Sequence, residues 1–305
     1  MWFVHRMNFG TARGVWAAMG AYLLWGVLPA YWKALKAVPA GQILCHRIIW
    51  SALFVTGLVV GRGEWKAFRE AASNRRTVLY YTVAAVLLST NWFTYIWAVN
   101  ANRIVETSLG YFINPLVNIL LALVVLKERL DRMQWVAVGC AIAGVAYLTW
   151  DYGHVPLVAL TLALSFGSYA LIKKIAPLGA LHGLTLETAV LVLPAMACLF
   201  AMPTPAAETG TGTAARGAGT IALLVGTGII TAFPLLLFAY AARATSLSTL
   251  GILQYSSPTC GLLIGVLVYH EPFTTSRLIG FCIIWVGLAV YSIDLTRRFA
   301  RRVGG

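Results

Sequence analysis

Apolar residues along this chain come in long, nearly unbroken runs separated by short polar breaks. Ten such runs stand out, at 14–35, 42–61, 77–99, 104–126, 133–150, 155–173, 180–201, 219–242, 247–269 and 276–294. A helix of about 20 mainly apolar residues crosses the roughly 30 Å hydrocarbon core of a bilayer. The pattern therefore predicts an all-α integral membrane protein with ten transmembrane helices. Two breaks are longer than the rest. The first, 62–76, is charged; the second, 202–218, reads MPTPAAETGTGTAARGA, a composition that predicts an irregular connection.

Composition excludes the main alternatives. Of 305 residues, 60% are hydrophobic and 11% charged, against roughly 45–50% and about 25% in soluble globular proteins. Such a chain cannot cover its surface with polar groups, so it is neither a soluble domain, a disordered chain nor a disulfide scaffold. Its net charge of +13 raises nucleic-acid binding. The Lys and Arg residues, however, sit in the short breaks, where they read as the positive excess of cytoplasmic loops. Membrane lipid is the expected partner and nucleic acid is not. With the N-terminus inside, only Lys33, Lys36, Arg103, Arg216 and Arg277 fall outside, and Arg47 lies within a span. That bias places both termini in the cytoplasm. The basic stretch Arg297–Arg302 in the tail 295–305 then lies against anionic lipid heads. The five cysteines, Cys45, Cys140, Cys198, Cys260 and Cys282, form no CxxC pair and read as packing residues, so no metal or redox cofactor is expected. The first apolar run continues past Leu35, too long for a signal-peptide core, and Met7 is an alternative start to Met1.

The two halves of the chain can be laid over each other. A shift of 143 brings Pro115 onto Pro258, Glu128 onto Glu271, Gly144 onto Gly287 and Asp151 onto Asp294. Nearer the start of each half, a shift of 141 pairs Trp25-Gly26 with Phe166-Gly167 and Lys33 with Lys174. These rare residues in register predict two repeats, 14–150 and 155–294, of five spans each. Five is odd, so the second repeat enters the membrane from the opposite side. Inverted repeats of this kind are a hallmark of secondary transporters; a duplicated scaffold without transport is the other reading.

Candidate chemistry follows from polar residues at membrane depth, which are functional hypotheses by default. His46 and Arg47 lie about five residues into the second run and Glu187 about seven into the seventh, roughly 8–10 Å below opposite surfaces. They either bind substrate or carry protons along one central cavity, or only hold helices together. Pro115 and Pro258 sit mid-span at equivalent positions and free the carbonyls of Tyr111 and Gln254. Asn114, Gln254, Tyr255, Ser256 and Ser257 supply polar groups there, so both breaks read as hinges on the substrate path or as static kinks. Trp25, Trp50, Trp92, Tyr95, Tyr111 and Tyr255 would line the cavity or pack the core, and Asn91 shares a face with Tyr95. Together they suit a small organic solute. Glu128 and Glu271 read as structural caps, and Lys33, Lys173 and Lys174 as side chains reaching back to the interface.

Several stretches carry a family resemblance: Tyr22–Lys33 (YLLWGVLPAYWK), His46–Ser51 (HRIIWS), Asn91–Asn100 (NWFTYIWAVN), Glu106–Leu116 (ETSLGYFINPL), Lys127–Leu130 (KERL), Ala163–Gly167 (ALSFG), Leu250–Thr259 (LGILQYSSPT) and Glu271–Phe273 (EPF). The chain resembles the RarD group of the EamA family, in the drug/metabolite transporter superfamily. The resemblance implies ten transmembrane helices in two five-helix repeats, an inner-membrane location and movement of small metabolites. The first six residues and the 202–218 connection look peculiar to this chain. No GxxxxGK[ST] loop is present, so proton coupling or exchange remains as the drive. No HExxH, GxSxG or Cys/His cluster points to catalysis. A secondary carrier of a small-molecule substrate is the leading reading; a channel, a sensor or assembly protein, and a membrane-embedded enzyme are the others.

Overall fold

A computed structural model describes residues 12–35, 37–100, 104–152, 156–202, 217–268 and 275–303. They form twelve helices: α1 (Ala12–Ala34), α2 (Ala40–Gly61), α3 (Trp65–Ala72), α4 (Arg75–Asn100), α5 (Ile104–Val124), α6 (Arg132–Tyr152), α7 (Leu157–Ile175), α8 (Ala180–Ala201), α9 (Ala218–Ala244), α10 (Leu247–Gln254), α11 (Ser256–Leu267) and α12 (Thr275–Val303). No strand occurs among the described residues. Six helices, α1, α2, α6, α7, α8 and α9, hold stretches long and apolar enough to cross a membrane, and α5 and α12 carry shorter apolar segments. Trp150, Leu193 and Phe200 stand bare on the outside, as lipid contact requires. The irregular connection expected at 202–218 falls mainly on residues outside the described set, as do Glu271, Lys36, Arg103, Arg216 and both candidate start residues; so do the side chains of the tail.

Three helices start where a short polar side chain holds free N–H groups. At α6, Asp131 Oδ1 accepts from the backbone N–H groups of Met133 and Gln134, each at 3.0 Å, and Gln134 Oε1 accepts from Asp131 N–H. This is a reciprocal capping box. Asn74 does the same for α4 through Arg76 and Thr77, and Ser246 caps α10 through Thr249.

Two features differ from the sequence expectation. The charged break 62–76 contains α3, whose Phe68 is buried against Val59, Tyr81 and Leu186. Its apolar positions at helical spacing are masked in the sequence by the charges on its other face. The ninth run is two helices, meeting at Tyr255. Pro258 lies in the first turn of α11, where its missing N–H is needed least. Pro115, in contrast, sits inside a continuous α5.

The packing pairs each half with the other. α5 lies on α7, and α10 and α11 lie on α1; α4 lies on α7, and α9 on α1; α2 meets α8, and α6 meets α12. Small residues make the tight crossings. A Cβ added at Gly26 would stand 2.6 Å from Cys260 Cβ, and one at Gly167 would stand 2.6 Å from a Val117 methyl. A Cβ at Gly144 would meet Gly280 O at 3.0 Å, and one at Gly287 would meet Ala137 O at 2.9 Å. At the centre, Tyr22, Trp25, Phe166, Tyr169 and Phe238 form an aromatic cluster from α1, α7 and α9. Near one end Glu128, after α5, accepts from the N–H groups of Leu247 (2.9 Å) and Ser248 (3.1 Å) and from Ser248 Oγ (2.6 Å), so a carboxylate from one half caps α10 in the other.

These crossings predict an asymmetry between glycines. A Cβ at Gly228 on α9 would lie 2.5 Å from the backbone of Trp50 on α2, whereas one at Gly57 meets nothing within 4 Å. Gly228→Ala should lower stability by about 1–3 kcal/mol, because backbone cannot yield like a side chain. Gly57→Ala should be neutral or stabilising by up to about 1 kcal/mol. Thermal unfolding of both variants in detergent tests this; equal midpoints would show that the α2–α9 crossing is looser than described.

Candidate functional site

Arg47 stands on α2 with Leu44, Cys45, Ile48 and Ile49 around it in sequence, and nothing local neutralises its charge. Its guanidinium carbon lies 4.5 Å from the ring centre of Trp92 on α4 and 4.8 Å from that of Trp32 on α1. Its Nε donates to Thr231 Oγ1 on α9 at 3.1 Å. Among the described residues no carboxylate pairs with it; the ion pairs there are Lys173–Glu187 and His182–Glu64. An arginine at bilayer depth costs at least about 2.5–3.5 kcal/mol. A desolvated cation–π contact contributes up to about 2 kcal/mol and a neutral hydrogen bond about 1 kcal/mol. The two indoles and Thr231 thus roughly offset the burial, and the Nη donors are left without an acceptor among the described residues.

The surroundings come from several helices. One turn along α2, Trp50 Nε1 donates to His46 Nδ1 at 3.2 Å, which fixes the indole beside the imidazole. Tyr95 on α4 and Tyr111 on α5 meet edge to face with ring centres 6.1 Å apart, and both lie within reach of the Arg47 charge. Tyr111 is 44% exposed although its chain neighbours Gly110 and Phe112 are buried. Part of the Tyr111 ring thus stands outside the packed core within reach of Arg47. Asn91 donates to Leu162 O (2.9 Å) and Ser165 Oγ (3.1 Å), tying α4 to α7.

The other expected site residues gather elsewhere. Trp25 belongs to the central aromatic cluster, 5.6 Å from Phe166 and 5.5 Å from Phe238. At the crossing of α5 and α10, Asn118 Nδ2 donates to Gln254 Oε1 at 2.7 Å, and Asn114 is buried with its Oδ1 unpartnered. Tyr255 donates to Phe112 O at 3.1 Å, close to Pro115. Ser257 lies in the first turn of α11, with its carbonyl against Gly26. Of the expected site residues, the structure sets Tyr95 and Tyr111 within reach of Arg47, ties His46 to Trp50 along α2, and places Asn114, Gln254, Tyr255, Ser257, Pro115 and Pro258 around the α5–α10–α11 junction.

Glu187 on α8 is fully buried and has its own partner. Lys173 Nζ donates to Glu187 Oε1 at 2.7 Å, and Tyr169 donates to Oε2 at 3.2 Å. Lys173, expected to reach back to the interface, is instead 3% exposed, and its ammonium lies 5.3 Å from the Tyr81 ring centre. The reason is local: Glu187 offers the ammonium a buried counter-charge. Lys174, next in sequence, turns the other way and donates to Ala242 O and Thr245 O at the end of α9. Sequence reasoning missed Lys173, Tyr169, Trp32 and Thr231 as site neighbours. The sequence signal available for Lys173 was its 14-residue separation from Glu187 across a short α7–α8 turn. Thr231, one hydroxyl inside an apolar run, gave none.

Breaking a buried pair leaves the surviving charge uncompensated, at about 3–5 kcal/mol. Lys173→Met and Glu187→Leu should each destabilise on that scale, while the two combined recover most of the loss. Chemical unfolding in detergent, run as a double-mutant cycle, decides it; additive losses would show that the two side chains do not depend on each other.

The profile of the EamA-like transporter family matches the chain twice, over residues 12–150 and 155–293. The chain is 44% identical over 290 residues to a protein named uncharacterized transporter YojE of Bacillus subtilis, covering 93% of this chain and 95% of that one. It is 43% identical over 289 residues to protein RarD of Streptomyces exfoliatus, covering 95% and 90%. With protein RarD of Escherichia coli it shares 41% identity over 285 residues, covering 93% and 95%. A protein of known crystal structure has the same fold, with a TM-score of 0.69 at 17% identity over 93% of this chain and 98% of that one. With its described residues almost all helical, apolar on its outer faces and related along nearly its whole length to proteins named as transporters, the chain belongs to the RarD group of the EamA-like transporter family and is a multi-pass membrane transporter.

Proposed function

We propose that this transporter is a secondary carrier that moves a small organic solute across the inner membrane by alternating access. In this reading ten transmembrane helices form two inverted five-helix repeats, 14–150 and 155–294, with both termini and the basic tail in the cytoplasm. α3 is then a surface helix, and α10 with α11 make up the ninth span.

The observation that carries the reading is a correspondence of contacts. At a shift of 143, Gly144 and Gly287 exchange places, and so do Ala137 and Gly280. Each of these glycines faces the other's partner: Gly144 meets Gly280 O, and Gly287 meets Ala137 O. Gly26 against Cys260 corresponds to Gly167 against Val117, with Gly26 matched to Gly167 at a shift of 141 and Val117 to Cys260 at 143. Two halves that make equivalent contacts with each other can trade conformations, and that exchange opens a shared site to one side and then to the other. Pro115 and the break before Pro258 are the hinges of this motion. With no nucleotide loop, the drive is proton coupling or solute exchange. The relatives' names, together with the lack of a catalytic motif, support a carrier that performs no chemistry on its cargo.

Counterflow in proteoliposomes tests this. Vesicles holding the purified protein are loaded with pooled unlabelled metabolites and offered each labelled compound in turn. Accumulation of a labelled compound above empty vesicles is expected; none with folded protein would count against exchange. Orientation has its own test. A C-terminal fluorescent-protein fusion should be bright and the corresponding alkaline phosphatase fusion inactive, because both termini face the cytoplasm. The reverse result would invert the topology.

A further inference from the structure

We propose that Arg47, flanked by Trp32 and Trp92, binds the carboxylate of a small organic acid with an apolar or aromatic body. The proposal rests on the carrier reading and names the class of its cargo. Among the described residues, Lys173 and Glu187 neutralise each other and Lys174 is held by two carbonyls at the end of α9, whereas Arg47 bonds no carboxylate. A single positive charge in a low-dielectric site selects a single negative charge; a dianion would replace one unbalanced charge with another. The available donors narrow the choice further. Nε is taken by Thr231 and the carbon faces the two indoles, at 4.5 Å and 4.8 Å, which leaves the Nη groups. Two N–H donors in a rigid planar fork match the two oxygens of a carboxylate. The rest of the ligand meets rings: Trp32, Trp92, Tyr95 and the exposed part of Tyr111. Aromatic walls around one charged group favour an amphipathic ligand, with its charged end at Arg47 and its body on the rings.

Lysine would keep the charge but lose the fork, and its compact ammonium holds a carboxylate through fewer directed bonds. Glutamine would remove the charge. The order of affinity expected is therefore arginine, then lysine, then glutamine.

The test uses purified full-length protein in detergent and three probes that share one body: phenylacetate, its neutral amide phenylacetamide, and the amine phenethylamine. Thermal-shift titration reads binding, since a ligand that binds the folded state raises the midpoint with concentration. Phenylacetate should raise it and the other two should not. Arg47→Gln should weaken phenylacetate by roughly tenfold to a hundredfold, as expected for losing hydrogen bonds to a charged group. Arg47→Lys should fall between. If Arg47→Gln does not fold, Trp92→Leu, which removes one ring and keeps the charge, should weaken binding while preserving the preference for acid over amide. Equal shifts from acid and amide, no shift from any probe, or an undiminished shift in Arg47→Gln would overturn the proposal. Counterflow separates it from the carrier reading. Flux of neutral or cationic solutes that survives Arg47→Gln keeps the carrier and removes the anion site. Acid binding without flux of any solute keeps the site and removes the carrier.

Discussion

A polar atom inside a bilayer has no water to fall back on, and the main cross-helix bonds of this structure answer to that constraint. The backbone meets it by being helical almost throughout. Side chains meet it by finding partners across helices: Asn91 on α7, Gln254 with Asn118, Tyr255 on the carbonyl of Phe112, Lys173 with Glu187. Each of these bonds joins two elements, so satisfying the polar groups also assembles the bundle. Hydrophobic burial cannot supply this alone, because a lipid tail is as apolar as leucine. Close approach at glycines and hydrogen bonding between helices take its place.

Close approach also explains why the repeat pattern survives in the contacts. A crossing that admits only a hydrogen on each side tolerates little drift in register. Gly144 and Gly287 therefore keep equivalent partners although most of the paired residues around them differ. The Glu128 cap adds a polar lock of the same kind. Its carboxylate receives three donors at the start of α10, so the end of α5 in one half fixes the start of a helix in the other. The break at Tyr255 lies at the far end of that capped helix.

Most of the fold was legible in the sequence because the bilayer imposes one coarse rule, long apolar runs, on every span. α3 escaped it because a short surface helix shows only a few apolar positions among charges. The split of the ninth run escaped because a proline states that a helix is disturbed without saying where the backbone adjusts. The candidate site was legible in its charge and rings: Arg47, Tyr95 and Tyr111 all stand out in an apolar chain. Its partnerships were not. Thr231 on Arg47 spans two distant helices, and which of two adjacent lysines turns inward depends on the counter-charge each one finds, Lys173 on Glu187 and Lys174 on carbonyls at the end of α9.

The same register sets unlike chemistry at equivalent places in the two halves. At a shift of 141, Trp32 corresponds to Lys173 and His46 to Glu187. In the second half these two places hold an ion pair 2.7 Å long, sealed by Tyr169 and Tyr81. In the first half they hold an indole and an imidazole, and the charge has moved one residue on, to Arg47. Among the described residues, these equivalent places thus carry an ion pair in one repeat and, in the other, two uncharged rings beside an arginine that bonds no carboxylate. A neutral pair can remain buried through a change of conformation at little electrostatic cost, whereas a lone buried charge is held only by what its rings and hydroxyls supply.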